Sequence, residues 1–204
     1  MAALMAASTV SMAQVFKADT ISNEVFARME GKSYPIGCVI PRSELRYLSV
    51  AHYDLSGKVC QGELVCNRAI AGHLLEIFRE LFRRKYPIER IRLVDDYDAD
   101  DERSMRANNT SCFNFRRIAG STKLSAHSRG MAIDINPLYN PYVKKGKQGQ
   151  MIVYPATGKP FTDRSCNFDY KIEKNDICYR LFIQRGFSWG GDWHSVKDYQ
   201  HFER

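Results

Sequence analysis

The sequence predicts an α+β fold in a single domain, and three observations carry that expectation. Leu45–Leu55 and Lys58–Cys66 read as two strands around a Ser56-Gly57 hairpin signal. Ile70, Leu74, Ile77, Phe78, Leu81 and Phe82 recur at helical spacing. At 204 residues, 44% hydrophobic and 26% charged, the chain is long enough to bury a core. It has no apolar stretch that reaches bilayer length, no internal repeat and no low-complexity linker. Residues 1–20 are expected as a lead-in and 21–204 as the folded unit, a small antiparallel sheet flanked by helices.

The elements follow in order. Met1 to Ala13 is apolar and rich in small residues, with Ser11 and Ala13 at the positions that precede a signal-peptidase cut. No Lys or Arg precedes the run, so it reads either as a weak or truncated signal peptide, which implies a periplasmic or other extracytoplasmic location, or as a frayed terminus. A short helix is expected over Ile21–Met29 and a turn at Tyr34-Pro35-Ile36-Gly37. Asn67 caps the long helix, the basic Arg83-Arg84-Lys85 suits its C-terminal dipole, and Pro87 stops it. Ile91–Val94 and Cys112–Arg116 read as short strands, with the acidic run Asp95–Glu102 as a solvated loop between them. Tyr139 to about Tyr170 reads as a long connection. Asn175 or Asp176 starts a last helix, which Gly186 ends. The six cysteines show no C-x-x-C zinc spacing and are expected as mostly unpaired thiols.

Ser125-Ala126-His127-Ser128-Arg129-Gly130-Met131-Ala132-Ile133-Asp134 carries the chemistry. Gly130 reads as a tight turn, followed by a short strand Met131–Ile135. Strand alternation sets Ala132 and Asp134 on one face, where the small Ala132 leaves room for something bulky, a metal being one candidate. A second pair, Asp198-Tyr199-Gln200-His201, closes the chain. Two imidazoles and one carboxylate, His127, Asp134 and His201, suit a hydrolytic zinc site with a fourth position left for water. Asp198 is then placed to handle that water's proton.

Ser125-Ala126-His127, Gly130, Ala132 and Asp134, with Trp189-Gly190-Gly191-Asp192-Trp193 and Asp198-x-x-His201-Phe202, resemble the signature of the D-alanyl-D-alanine carboxypeptidase family of zinc peptidases. That family includes D-Ala-D-Ala dipeptidases and L-alanyl-D-glutamate endopeptidases. The resemblance implies a hedgehog/DD-peptidase-like fold with one zinc ion at a sheet edge, held by His127, Asp134 and His201. It implies Asp198 as general base, where many members carry Glu, and a peptidoglycan stem peptide as substrate. It also implies an arginine for the substrate carbonyl and developing oxyanion: Arg116, with Arg117 as the neighbouring alternative. Ser125 resembles a substrate-contacting serine and reads equally as a turn residue. Trp193 reads as a groove wall or as core.

A net charge of +7 raises a third possibility, a basic module that binds polyanions without metal. The basic residues are spread along the chain and no nucleic-acid motif appears, so no nucleic-acid partner is expected. A non-catalytic zinc fold that binds wall peptides also fits the ligand set. The chain is expected to act as a monomer.

Overall fold

A computed structural model of the protein describes residues 15–118 and 122–204; the expected signal segment, residues 1–13, lies outside them. The first layer is a three-stranded antiparallel sheet in the order β1 (Phe16–Thr20), β2 (Leu45–Tyr53) and β3 (Val59–Asn67). The lead-in expected to end at residue 20 therefore supplies an edge strand, and the folded unit begins before residue 21. The β2–β3 turn is tied by Asp54, whose Oδ1 accepts from the backbone N–H of Ser56 and of Lys58, both at 2.9 Å. Gly57 takes the positive φ of 82° that this turn needs.

Between β1 and β2 lies α1 (Asn23–Met29), capped by Ser22 Oγ. After β3 comes α2 (Arg68–Arg83), capped by Asn67, whose Oδ1 accepts from Ala69 N–H at 2.9 Å. Ile70, Leu74, Ile77, Phe78 and Leu81 form its buried stripe, packed on Leu48 and Val50 of β2 and Leu64 of β3. That apolar contact joins the N-terminal sheet to the C-terminal half, because Ile133, Ile135, Phe182, Trp189 and Phe202 belong to the same core.

The middle of the chain departs from expectation. Of the expected Ile91–Val94 strand only Ile91 joins a ladder, within β4 (Arg90–Ile91), which pairs in parallel with β5 (Asn109–Thr110). Cys112–Arg116 is not a strand. Its amides are taken one at a time by different partners, Phe113 N–H by Val65 O, Asn114 N–H by His127 O and Phe115 N–H by Ser33 O, so no ladder develops. The acidic run is not a solvated loop either. It folds into a 3-10 turn (Val94–Tyr97) and α3 (Asp101–Arg106), with Asp95 buried and accepting Ser33 N–H at 3.0 Å.

In place of one small sheet, the C-terminal half builds two more three-stranded antiparallel sheets. One contains β6 (Ala132–Asp134), β9 (Ser188–Trp189) and β11 (His201–Glu203), with β11 central. The other contains β7 (Tyr142–Lys145), β8 (Met151–Tyr154) and β10 (Val196–Asp198), in the order β10-β7-β8. The expected long connection from residue 139 thus holds a hairpin and a 3-10 segment, Ala156–Phe161. Arg164 fastens it, donating to the carbonyls of Tyr139 at 2.9 Å and Ile172 at 2.8 Å and to Asn140 Oδ1 at 3.1 Å. The last helix, α4 (Ile177–Gln184), starts after Asp176, whose carboxylate accepts from the Tyr86 hydroxyl instead of capping the helix. All six cysteines are free thiols.

Candidate metal centre

Local sequence places His127 firmly. Ser125 Oγ accepts the His127 backbone N–H at 3.3 Å, opening a 3-10 turn over Ala126–Arg129. Gly130 ends it at φ +65°, where a Cβ would lie 2.6 Å from Asn67 N and 3.0 Å from Cys66 C. Asn67 N–H donates to Gly130 O at 2.9 Å and its Nδ2 donates to Arg129 O at 3.1 Å. The loop bearing His127 is thereby clamped to the start of α2. Asp134 closes β6 and His201 opens β11, and the antiparallel register sets them directly opposite one another.

The three side chains are buried and converge. His127 Nε2 lies 3.1 Å from His201 Nδ1 and 3.3 Å from Asp134 Oδ2, and His201 Nδ1 lies 3.1 Å from Asp134 Oδ1. Each imidazole donates outward with its other nitrogen: His127 Nδ1–H to Cys112 O at 2.7 Å, His201 Nε2–H to Glu203 Oε2 at 3.3 Å. These outward bonds fix the tautomers and leave two lone pairs and a carboxylate facing one another. Such a set is repulsive unless a positive charge lies among them. A tetrahedral ion with bonds of about 2.1 Å holds its ligand atoms about 3.4 Å apart, so the observed spacing and the donor chemistry both fit zinc.

The electrostatics tell the same story. Burial disfavours a charged His201, but its hydrogen bonds to Asp134 and Glu203 outweigh that and push it up to about 10. Burial would likewise raise Asp134, yet the two imidazoles hold it well below the usual carboxylate range. The pocket thus selects one cation at its centre, a proton or a metal.

Asp198 stands beside this group. Burial, reinforced by the charge of Asp134, raises its carboxyl to about 6 even though the nearby imidazoles pull it down. Its Oδ1 is enclosed and has no hydrogen-bond partner among the described residues. Gly190 makes this placement possible: a Cβ there would lie 2.6 Å from Asp198 O, 2.7 Å from Asp198 Cβ and 3.3 Å from His201 Cβ.

The remaining candidates separate. Trp193 is half-buried with its ring centroid 5.2 Å from that of His201, beside the site and outside the main core. Ser125 caps the His127 turn. Arg116 forms an ion pair with Asp101 of α3, while Arg117 is exposed and donates to Thr122 O in its own loop. No hydrogen bond joins either guanidinium to the three ligands or to Asp198 among the described residues. His73 is half-buried on α2 and His194 is exposed, both apart from the cluster. Sequence reasoning missed Glu203 and the Cys112 carbonyl, which orient the two imidazoles. The room beside Ala132 is taken by Glu203, its register partner, and the two-residue step from His201 to Glu203 was the one available signal.

An α+β domain with a buried two-histidine, one-carboxylate cluster has a site that could hold one divalent cation, with the donor set that hydrolytic metalloenzymes use. Residues 119–204 match a family model described as D-alanyl-D-alanine carboxypeptidase. The chain thus resembles that family of zinc peptidases across the part that contains His127, Asp134, Asp198 and His201, and this supports a hydrolase of the metallopeptidase kind. Arg116 precedes the matched residues. Comparison with curated proteins and with solved structures gave no match.

Proposed function

We propose that the protein is a zinc-dependent metallopeptidase that hydrolyses a peptide bond in peptidoglycan stem peptides, with D-alanyl-D-alanine carboxypeptidase-like specificity. The observation that supports it best is the lone-pair cluster of His127, Asp134 and His201 lying inside the segment that matches the peptidase family. Zinc bound there would supply Lewis acidity, lowering the pKa of water to about 7 and polarising a carbonyl. Asp198, a carboxylate above about pH 6, takes the proton from the attacking water and passes it to the leaving amine. Arg116 offers its guanidinium to the carbonyl oxygen as charge develops, with Asp101 holding its other edge. Trp193 and Ser125 flank the bound peptide. In this reading the protein acts as an extracytoplasmic or periplasmic monomer, and the arrangement of sheets around the zinc is hedgehog/DD-peptidase-like.

Metal analysis and digestion of purified muropeptides test the proposal together. One zinc per chain and release of D-alanine, or of a new amino terminus, are expected. Asp198→Ala keeps the zinc and loses about 10²- to 10⁴-fold in turnover. With Asp198 intact, kcat/KM falls about tenfold per pH unit below the carboxyl's pKa, on an acid limb at or below pH 6. Stoichiometric zinc without cleavage of any muropeptide would leave a wall-peptide-binding module instead. A protein that binds no zinc on dialysis would leave the metal-free polyanion binder.

A further inference from the structure

The sheet that carries Asp198 has a second row of side chains with no role so far. Antiparallel register sets Asp198 opposite Tyr142 and Tyr142 opposite Tyr154, and the next row runs Val196, Lys144, Ile152. Directly paired residues, and residues two apart on a strand, project to the same face. All six therefore share the face that carries the Asp198 side chain. The Tyr142 and Tyr154 rings lie 6.2 Å apart, extending Asp198's row away from the centre.

Lys145 of the same strand and nearby Lys147 are exposed and also have no carboxylate partner among the described residues, so Lys144 differs from them in its burial. It stands half-buried between Val196 and Ile152, with no carboxylate partner among the described residues. By contrast Lys171 pairs with Glu173 and Lys174 with Asp192, while Lys197, on the opposite face of β10, donates to Gly191 O at 3.1 Å. The Lys144 ammonium lies 5.8 Å from the Tyr142 ring centroid, so it leans out of its own row toward the row of Asp198. One unpaired cation framed by two aliphatic side chains and an aromatic ring matches one anion carried on a small apolar group. Rows in a strand are about 7 Å apart, a separation comparable to one residue of an extended peptide, and Lys144 leans across it toward the row of Asp198.

We propose that Lys144, framed by Tyr142, Val196 and Ile152, binds the free carboxylate of the residue on the leaving side of the scissile bond, whose short aliphatic side chain rests on Val196 and Ile152. This inference rests on the peptidase reading and assigns to Lys144 the choice of a free carboxyl end over an internal bond.

The test uses a matched pair of peptides, one ending in free D-alanine and the other in its amide. Binding is measured by calorimetry to zinc-loaded full-length protein carrying Asp198→Ala, which isolates affinity from turnover. The free acid is expected to bind at least tenfold more tightly than the amide. Adding Lys144→Gln should bring the acid down to the level of the amide, with zinc content and melting temperature unchanged, and Lys144→Arg should restore the preference. With Asp198 intact, Lys144→Gln should raise KM for the acid and leave kcat nearly unchanged. Equal binding of acid and amide, failure of both to bind, or an equal loss for both in Lys144→Gln would overturn the carboxylate site. A protein that discriminates acid from amide but cleaves neither would keep the site and sink the peptidase reading. Cleavage without discrimination would do the reverse.

Discussion

His201 presents Nδ1 to Asp134 and His127 and gives Nε2–H to Glu203, so one carboxylate outside the ligand set decides which nitrogen is free for a metal. Outer partners of this kind typically contribute 10- to 100-fold in metal affinity. Glu203→Ala is therefore expected to weaken zinc binding by about that factor in a chelator competition, and Glu203→Gln, which still offers an acceptor oxygen, by less. Unchanged affinity in Glu203→Ala would mean that the β11 backbone alone holds the ring. The cluster of His127, Asp134 and His201, with Asp198 beside it, was legible in the sequence because these are chemically distinctive types at motif spacing. Glu203 was not, because its meaning depends on β11 lying beside Ala132, a pairing that no local pattern states.

Among the elements, those with a strong local signal were legible: the β2–β3 hairpin with its Gly57 turn, the capped apolar stripe of α2, and α4 ending before Gly186 at φ +79°. The β7–β8 hairpin was hidden because its four-residue strands carry little alternation and its outer positions, Lys145 and Met151, are exposed. Cys112–Arg116 misled in the opposite direction, since an extended segment can satisfy its amides without a ladder. The short 3-10 segment Gly190–Asp192 joins β9 to the stretch leading into β10, and its tolerance for side chains is narrow. Gly190→Ala is expected to cost about 1–3 kcal/mol by overpacking, because the new methyl meets the Asp198 backbone at 2.6 Å. Displacing Asp198 should also cut turnover more than it lowers the melting temperature would suggest. A variant with native stability and native activity would show that the strand can shift without consequence.

Over the whole molecule, the cation pocket links stability to pH, and the sign follows from the two raised groups. Without metal, His201 sits at about 10 in the folded chain against an ordinary 6.5, so its proton stabilises the fold fully below about pH 6.5 and that contribution disappears as pH rises through about 10. Asp198, raised from 3.8 to about 6, acts in the same direction at lower pH: its stabilising proton is held below about pH 4 and gone above about pH 6. Through these two groups the metal-free protein should lose stability as pH rises from 4 to 10, while buried His52, lowered from 6.5, works against that trend around its own titration. Asp134, held low by the imidazoles, opposes this only under strongly acid conditions. Zinc bound in this cluster would take the place of the His201 proton, so binding between pH 6.5 and 10 should release a proton, and the melting-temperature gap between zinc-loaded and chelator-treated protein should widen across that range. At free zinc about 1,000 times its Kd the stabilisation is about 4 kcal/mol, large enough to read by calorimetry. A gap that stays constant from pH 7 to pH 9, with no proton released on titration with zinc, would place the metal somewhere other than between His127, Asp134 and His201.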